Sequence, residues 1–340
     1  MKHLRSLLLF LTLALALSAV SVYYIFFAPF GKVTTAQYIY IDKDDTKDSI
    51  IHKLSIVAPR QTWGIEWLWE MTEAQTRSGK YEISAQQSSI EVFRMLRNGQ
   101  QVPIKLVVRP AWTVERMASR LATQLMVDSA ELVSFFNDTT TLSLMHCTRE
   151  TLPAHFIPNT YEVYWNISPE QLVQRLEREY KKFWTAERLQ RAEQLGMTPH
   201  EVSTLASIVC RETNNVPEMA TIAGLYRNRL KRKMPLQACP TVIFARQDFS
   251  ITRLTNPTEP DSPYNTYRYL GLPPGPIFIP PISAIDAVLR AETHNYLYMC
   301  AKEDFSGTHN FAATLSAHQH NARKYQRAYK QRFGKKKWYL

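Results

Sequence analysis

Several common functional signatures are missing from this 340-residue sequence. It has no glycine-rich phosphate-binding loop and no motif of a nucleic-acid-binding fold. Its 9 histidines and 4 cysteines are not grouped at the spacing of a zinc site. Long low-complexity tracts are also absent and 21% of the residues are charged, which argues against a disordered chain. We therefore expect a folded protein that does not bind nucleic acid.

Acidic residues are the minority among the charges. The 41 Lys and Arg residues outnumber the 30 Asp and Glu residues, which gives a net charge of +11 and a pI near 9.4. Such a charge suits an anionic surface or an acidic polymer, although a solvated basic surface explains it equally well. Hydrophobic residues make up 45% of the chain, enough for one large core or two smaller ones.

Charged side chains are absent from residues 6–31, directly after the basic residues Lys2 and Arg5. This interval can cross a bilayer, which takes about 20 apolar residues. Four aromatic residues lie where a membrane-interface belt is expected: Tyr23, Tyr24, Phe26 and Phe27. A positive flank stays cytoplasmic. We therefore predict a cytoplasmic tip and single-pass inner-membrane anchor over residues 1–31, with the bulk of the chain in the periplasm.

A cleaved signal peptide is the alternative for the same segment. The small residues Ala16, Ser18 and Ala19 fit a cleavage site, but the apolar interval is long for a signal peptide. Both interpretations export the rest of the chain to a compartment where disulfides can form. The four cysteines, which permit three complete pairings, are Cys147, Cys210, Cys239 and Cys300. The sequence alone does not choose among those pairings.

Residues 35–108 have the pattern of a small α+β unit. Alternation predicts strands in QYIYIDK, SGKYEIS and QVPIKLVV. Helical spacing occurs in TKDSIIHKLSIVA, QTWGIEWLWEMTEA and SSIEVFRMLRNG, and the last of these ends at Gly99 as a C-cap. We expect Trp63, Trp67 and Trp69 to lie in the core, with a sugar-stacking platform as the alternative.

Residues 109–335 form the second predicted domain, with a helical linker region over 109–197 and an active-site region over 198–325. Two helices begin with a capping box and a proline at the first helical position, at Ser168–Gln171 and at Thr198–Glu201. From residue 234 onward, proline-rich loops separate short strands and helices. Loops of this length inside a compact domain usually carry function.

One helix in this region places a carboxylate on an apolar face. Over residues 199–213, helical spacing aligns Val202, Leu205 and Val209, and Glu212 continues that face. A carboxyl group against apolar neighbours has a raised pKa and can act as a general acid. The alternative is that the helix has already reached solvent at Glu212. We expect Glu218, in the first turn of the next helix, to stabilise the start of that helix.

Several motifs, in this order, carry a resemblance to a known family: TLASIVCRETN, AGLYRNRL, PLQACPTV, SPYNTYRYLGLPPGPI and YLYMCAKEDFSGTHNF. Together they resemble the MltG/YceG family of endolytic murein transglycosylases, and HFIPNTY resembles the EGxLFPDTY segment of that family. The resemblance implies an α+β fold. It would comprise an N-terminal transmembrane helix, a small LysM-like domain and a mixed α/β catalytic domain with a helical core.

The resemblance also implies which residues form the active site. The family's motif is similar to SIIEKE, with the second Glu as the catalytic acid and base, and this position is Glu212. The first Glu position is Cys210, and Cys239 replaces the Asp of the family's LQxDPTV motif. We hypothesise that these two cysteines form a disulfide beneath Glu212. The alternative is that both are free and buried.

The activity implied by the resemblance is that of a lytic transglycosylase, a carbon–oxygen lyase acting on peptidoglycan. It would cleave the MurNAc-β-1,4-GlcNAc bond within glycan strands and leave 1,6-anhydroMurNAc ends, without metal or cofactor. Such an enzyme could terminate nascent glycan strands, with the cell-wall synthesis machinery as a partner. Candidate substrate-binding residues in the matched motifs are Gln237, Thr241, Tyr264, Asn265, Thr266 and Asn228.

The remaining motif residues are expected to shape the site. A structural role is favoured for Arg229. A rigid loop is expected from Gly271, Pro273, Pro274 and Gly275. His309 and Asn310 could line the cleft or cap a turn. One alternative function is a lysozyme-like hydrolase with Asp261 or Glu259 as its second acid. The other is a non-catalytic wall-binding scaffold.

Overall fold

The computed structural model describes residues 2–30, 36–58, 62–72, 75–251 and 254–334. The boundary positions 1, 31, 35 and 335 of the predicted domains lie outside these residues. The chain divides into two compact units. The first comprises the chain up to Leu106 together with Gln124–Met126 and Glu162–Ile167, and the second comprises Val107–Thr123, Val127–Tyr161 and Ser168 onward.

The first unit begins with a long apolar helix and continues as a small mixed fold. Its elements are α1 (Lys2–Phe26), β1 (Gln37–Ile41), α2 (Lys47–Val57), α3 (Thr62–Thr72), β2 (Gly79–Ile83), α4 (Ser89–Asn98) and β3 (Ile104–Val107). Within α1, His3–Phe26 is the one described helix that could cross a membrane by length and composition. Its mean hydropathy is 2.2 and none of it is buried in the protein.

The core of the first unit lies between a two-stranded sheet and three helices. Strands β1 and β2 pair antiparallel, with Gln37 opposite Ile83 and Ile41 opposite Gly79. Alternate strand residues point into the core, among them the fully buried Tyr81. Among the described residues this sheet has two strands, so the predicted third strand, β3, does not join it. Gly99 ends α4 with a φ of 68°, as expected for a glycine C-cap.

The prediction that all three tryptophans of α3 lie in the core is wrong for two of them. Trp69 is buried and packs edge-on against Phe93. Trp63 and Trp67 are 57% and 48% exposed, because they lie on the side of α3 opposite Ile65 and Trp69. All three residues are tryptophan, so residue type does not separate the buried one from the exposed ones, and only the packing of α3 does.

The second unit is mainly helical. Its elements are α5 (Val114–Ala122), α6 (Ser129–Asn137), α7 (Thr139–Leu144), a 3-10 turn (Leu152–His155), α8 (Pro169–Phe183), α9 (Ala186–Leu195), α10 (Pro199–Glu212), α11 (Val216–Lys231), α12 (Cys239–Arg246), α13 (Ile282–Leu289), β5 (Tyr298–Ala301), β6 (His309–Ala312) and α14 (Leu315–Phe333). Strand β4 (Thr160–Val163) lies where the chain passes from one unit to the other.

Helix α10 is the centre of this unit, packed against α11 and α13. Its predicted start is confirmed: the Thr198 hydroxyl accepts from the Glu201 amide at 3.3 Å, and the Glu201 carboxylate accepts from the Thr198 amide at 2.7 Å. The capping box at Ser168 and Gln171 is also present. Every residue from Val202 to Cys210 is buried, so α10 is covered on all sides rather than along one apolar stripe. The antiparallel hairpin of β5 and β6 follows α13 in the chain.

Candidate active site

The carboxyl group of Glu212 lies at the point where the buried helix α10 ends. Glu212 is the last residue of α10, and the amide of the next residue, Thr213, caps the helix by donating to Val209 O at 3.3 Å. Thr213 is buried, Arg211 is exposed, and Glu212 between them is partly exposed. The side chain is therefore accessible and yet surrounded by packed protein atoms.

Tyr226, on α11, holds this carboxyl group in place. Its hydroxyl donates a hydrogen bond of 2.8 Å to Oε1 of Glu212. Burial raises the pKa of Glu212 above its ordinary value, and the Tyr226 hydrogen bond and the charges of His309 and Arg229 only partly offset the effect. Burial, together with the Glu212 charge, raises the pKa of Tyr226 well above its ordinary value, so Tyr226 remains a neutral donor. The arrangement favours the protonated form of Glu212 more than an exposed position would, as a general acid requires.

A second carboxyl group, that of Glu218, belongs to the same neighbourhood. Glu218 is buried in the first turn of α11, where we expected it to stabilise the helix start. Its carboxylate instead accepts from the amide and ring Nδ1 of His309, at 2.7 Å and 2.9 Å. It also accepts from the hydroxyl of Thr213 at 3.3 Å. Glu218 thus joins α11 to β6 and to the residue that follows Glu212.

The two cysteines near the site do not form a disulfide. All four cysteines of the chain are free. Cys210 is buried among the core residues of α10, and burial raises its pKa to about 12. Cys239 is exposed, so the alternative of two buried free cysteines holds for Cys210 alone, and the Cys239 thiol lies 3.2 Å from the Tyr267 hydroxyl. The hypothesis of a Cys210–Cys239 disulfide is therefore wrong for this structure, because the two sulfur atoms have different partners.

The residues predicted to bind substrate differ in their accessibility. Gln237 is exposed, with a φ of 51°, and its amide donates to Thr266 O at 3.1 Å. Thr241, Asn265 and Thr266 are fully buried. The Thr241 hydroxyl donates to Ala238 O at 2.7 Å and lies 2.9 Å from the Thr266 hydroxyl. The Asn265 amide group donates to Pro257 O and Pro260 O. Contact of these three side chains with a sugar would require them to become exposed.

Three further motif residues connect elements of the second unit. Asn228 donates to His294 O at 2.7 Å and to Tyr296 O at 3.1 Å. Arg229 is buried, and its guanidinium donates to Leu297 O, Pro235 O and Leu236 O. Tyr264 packs against Phe244 with a ring-centroid separation of 4.8 Å. The contacts of Asn228 and Arg229 are those of structural residues.

The loop over residues 271–275 lies against other parts of the second unit. A Cβ atom at Gly275 would come within 1.8 Å of Glu150 O, so only glycine fits there. The Ser207 hydroxyl of α10 accepts from the amide of Ile277 at 3.0 Å and so fixes the end of this loop. Gly271 has a φ of 89°, and Pro273 is buried whereas Pro274 is exposed.

The other predicted polar residues make contacts that do not include Glu212 or are exposed. Asn310 donates to the carboxylate of Glu303 at 2.8 Å, within the β5–β6 hairpin. Asp261 is exposed, accepts from the Tyr269 hydroxyl at 2.6 Å and pairs with Arg268 at 3.4 Å. Glu259 is exposed as well. Across the described ranges, no group of three or more His, Cys, Asp or Glu residues could hold a metal ion.

Sequence reasoning missed three residues of this site: Tyr226, Tyr267 and, as a partner of Glu218, His309. Tyr226 lies within the motif AGLYRNRL, and Tyr267 lies within the motif SPYNTYRYLGLPPGPI. A signal was therefore present, since a tyrosine can donate to a carboxylate. The sequence could not show which of the many tyrosines points at Glu212.

Comparison with known proteins gives concordant results. The YceG-like family matches residues 39–324. An endolytic murein transglycosylase from Bacillus subtilis is 40% identical over 126 residues, which cover 37% of this chain and 34% of that protein. An endolytic murein transglycosylase from Streptococcus pneumoniae serotype 2 is 28% identical over 162 residues, 45% of this chain and 28% of that protein. The alignments thus span about a third or less of these relatives.

A solved structure is similar over most of the chain. The crystal structure of a YceG-like protein from Listeria monocytogenes aligns with a TM-score of 0.58 and 25% sequence identity. The alignment covers 84% of this chain and 98% of that one.

Proposed function

The chain belongs to the YceG-like family, and on that premise we propose that it is a membrane-anchored endolytic lytic transglycosylase of peptidoglycan. Relatives that bear the name endolytic murein transglycosylase support the substrate class and the reaction. The observation that carries the proposal is the partly buried Glu212 carboxyl group, whose pKa is raised by burial and which accepts a hydrogen bond from Tyr226.

In the proposed reaction Glu212 acts first as an acid and then as a base. Protonated Glu212 gives its proton to the glycosidic oxygen as the bond between MurNAc C1 and that oxygen breaks, and the GlcNAc end leaves with a free hydroxyl. The resulting carboxylate then takes the proton of the MurNAc C6 hydroxyl, whose oxygen bonds to C1 and closes the 1,6-anhydro ring. Glu212 ends the cycle protonated, so one carboxyl group serves both halves of the reaction.

Tyr226 and the Glu218–His309 pair would adjust this carboxyl group. Tyr226 stabilises the carboxylate formed after the first half and fixes its orientation. The charge of His309 lowers the pKa of Glu212 when the imidazole is protonated. The Glu218 carboxylate holds His309 in place by accepting hydrogen bonds from its backbone amide and from its ring Nδ1. We propose that His309 is held near Glu212 for this purpose.

Substrate contacts would come from the exposed polar groups beside Glu212. Gln237 is the member of the predicted set that is exposed, so we propose that it contacts the glycan. Thr241, Asn265, Thr266 and Asn228 would act by bracing the loops around the site, since their polar groups are bonded within the protein. Tyr264 would support the same loops through its packing.

The domain plan and location are also proposals. We propose an anchor over residues 1–31, a LysM-like domain over 35–108 and a catalytic domain over 109–335, with 109–197 as its linker region and 198–325 as its active-site region. Helix α1 would cross the inner membrane with its N-terminus in the cytoplasm. The end of α1 packs against the first unit, where Phe30 donates its amide to Gln87 O at 3.0 Å. Termination of nascent strands together with synthesis enzymes would follow from such a location.

The test compares the full chain in detergent with two variants on purified peptidoglycan, with mass spectrometry of the products. Glu212→Gln should abolish internal fragments that end in 1,6-anhydroMurNAc. Glu187→Gln, an exposed carboxylate on α9, serves as the matched control and should leave them unchanged. Reducing ends in place of anhydro ends would instead identify a hydrolase. Products that persist in Glu212→Gln would remove Glu212 from the mechanism, and no products from any form would favour the wall-binding scaffold.

A further inference from the structure

Helix α3 carries an exposed apolar stripe on the first unit. Trp63, Trp67 and Met71 follow one another at four-residue intervals, so they share one face of the helix. Their exposed fractions are 57%, 48% and 66%. The opposite face of α3 supplies Ile65 and Trp69 to the core. The stripe is therefore not part of the hydrophobic core of the first unit.

The stripe is joined directly to the end of α1. The rings of Phe26 and Trp67 lie 5.3 Å apart, centroid to centroid. A Cβ atom at Gly64 would lie 2.7 Å from the carbonyl oxygen of Ile25, so the glycine allows the two helices to approach closely. Just beyond α1, Ala28 is buried and Phe30 packs against the core of the first unit. Helix α1 therefore enters the first unit as a packed element rather than through a free tether.

The length of α1 sets the depth of this junction, given the anchor proposed above. Residues 6–25 are uncharged and follow Arg5, and about 20 helical residues at 1.5 Å each cover the roughly 30 Å of the hydrocarbon layer. With Arg5 at the cytoplasmic surface, Phe26 reaches the outer boundary of the hydrocarbon. Trp67 lies at the same level because its ring contacts Phe26.

Trp67 is thereby placed at the depth that tryptophan favours, where the ring contacts lipid chains and its N–H meets the headgroups, and Trp63 lies one turn away on the same face of α3. We propose that the Trp63–Trp67–Met71 stripe lies in the outer headgroup region of the bilayer and docks the first unit onto the membrane. Continuity with α1 favours lipid over a protein partner as the occupant. This inference rests on the proposed role of α1 as a membrane span.

The test uses intrinsic fluorescence of the full chain reconstituted in phosphatidylglycerol–phosphatidylcholine vesicles. One lipid is brominated close to the headgroup so that it quenches indoles at that depth. The sequence has 7 Trp residues, so the quenched signal is assigned by substitution. The test variant is Trp63→Phe with Trp67→Phe. The control is Trp165→Phe with Trp184→Phe, which removes two indoles that do not belong to the stripe. Phe at the exposed positions 63 and 67 keeps the fold, whereas Trp184 is buried, so circular dichroism checks the fold of both variants.

We expect the wild-type chain and the control to be quenched, and the Trp63/Trp67 variant to lose at least about half of that quenching. Equal quenching of all three proteins, or none in the wild type, overturns the docking of the stripe on lipid. Extraction of the vesicles at alkaline pH separates this failure from that of the anchor. A chain that stays in the vesicle pellet while quenching is unaltered refutes the stripe alone. A chain released by alkali refutes the membrane span, and the stripe proposal with it.

Discussion

From the hydrogen bond between Tyr226 and Glu212 we derive a quantitative prediction about the pH dependence of catalysis. The change is Tyr226→Phe, which removes the hydroxyl that donates 2.8 Å to Oε1 of Glu212 and leaves the aromatic ring in place. A donor stabilises the carboxylate more than the protonated acid, so its loss raises the pKa of Glu212 above the value it already has through burial.

The size of the effect follows from the strength of such bonds. A hydrogen bond to a charged group contributes about 1.5–3 kcal/mol, and we take about 1.5 kcal/mol because the protonated acid can still accept from a hydroxyl. One pKa unit corresponds to about 1.36 kcal/mol, so the basic limb of the kcat/KM profile should move up by about one pH unit. The ratio of variant to wild-type activity should thus rise about tenfold from the plateau to the basic limb.

The assay measures initial rates of anhydro-end formation on uncrosslinked glycan strands from about pH 5 to about pH 9. Tyr81→Phe is the control, since its buried hydroxyl also donates to a single acceptor, Arg77 O at 2.7 Å, in the first unit. Its profile should match the wild type. A basic limb that stays in place or moves to lower pH in Tyr226→Phe would refute the assignment of that limb to Glu212.

Four further predictions follow from the same contacts. Burial raises the pKa of Glu212, so the wild-type fold loses stability as pH rises from about 4 through the folded-state pKa. Glu212→Gln should therefore raise Tm at pH 8, and this gain should vanish near pH 4, about the pKa of an ordinary Glu. An equal gain in Tm at both pH values would contradict this. Glu218→Ala leaves the His309 amide and imidazole without their acceptor and should cost about 2–3 kcal/mol in denaturant unfolding, whereas Glu218→Gln should cost less. Thr241→Val should cost about 1–2 kcal/mol of stability with KM unchanged, and a raised KM would return Thr241 to the substrate contacts. Gly275→Ala should lower stability by about 3 kcal/mol in thermal unfolding because its Cβ would meet Glu150 O.

Local chemistry explains which parts of the fold were predictable. The capping boxes at Ser168 and Thr198 and the C-cap at Gly99 satisfy backbone groups within a few residues, so the sequence alone identifies them. The exposure of Trp63 and Trp67 depends on which face of α3 meets the core, and amino-acid type does not encode that choice. Tertiary partners of polar groups, such as Glu218 with His309, join residues that are 91 positions apart in the chain.

The same limit applies to the two cysteines. The family motifs in which they occur predict a disulfide beneath Glu212, yet Cys210 packs in the helical core and the Cys239 thiol lies against Tyr267. The presence of both cysteines in motifs associated with Glu212 does not determine the direction in which each thiol points. Conversely, the prediction that burial raises the pKa of Glu212 depends only on the helical spacing of α10 and on where that helix ends. The raised pKa of Glu212 in the structure agrees with it.

The contacts of Glu218 bear on the choice between lyase and hydrolase. A hydrolase of the usual kind uses two carboxyl groups, and the second one must bind either the anomeric carbon or a water molecule. Glu218 is the carboxylate linked to the surroundings of Glu212, through Thr213 and His309, but its two oxygens already accept from an amide, an imidazole and a hydroxyl. Each of those bonds occupies a lone pair that a water molecule would need. Asp261 is held at the surface by Tyr269 and Arg268. A nucleophile that the substrate itself supplies, the C6 hydroxyl, removes the need for a second free carboxylate, and for that reason these contacts support the lyase reaction proposed above over the hydrolase.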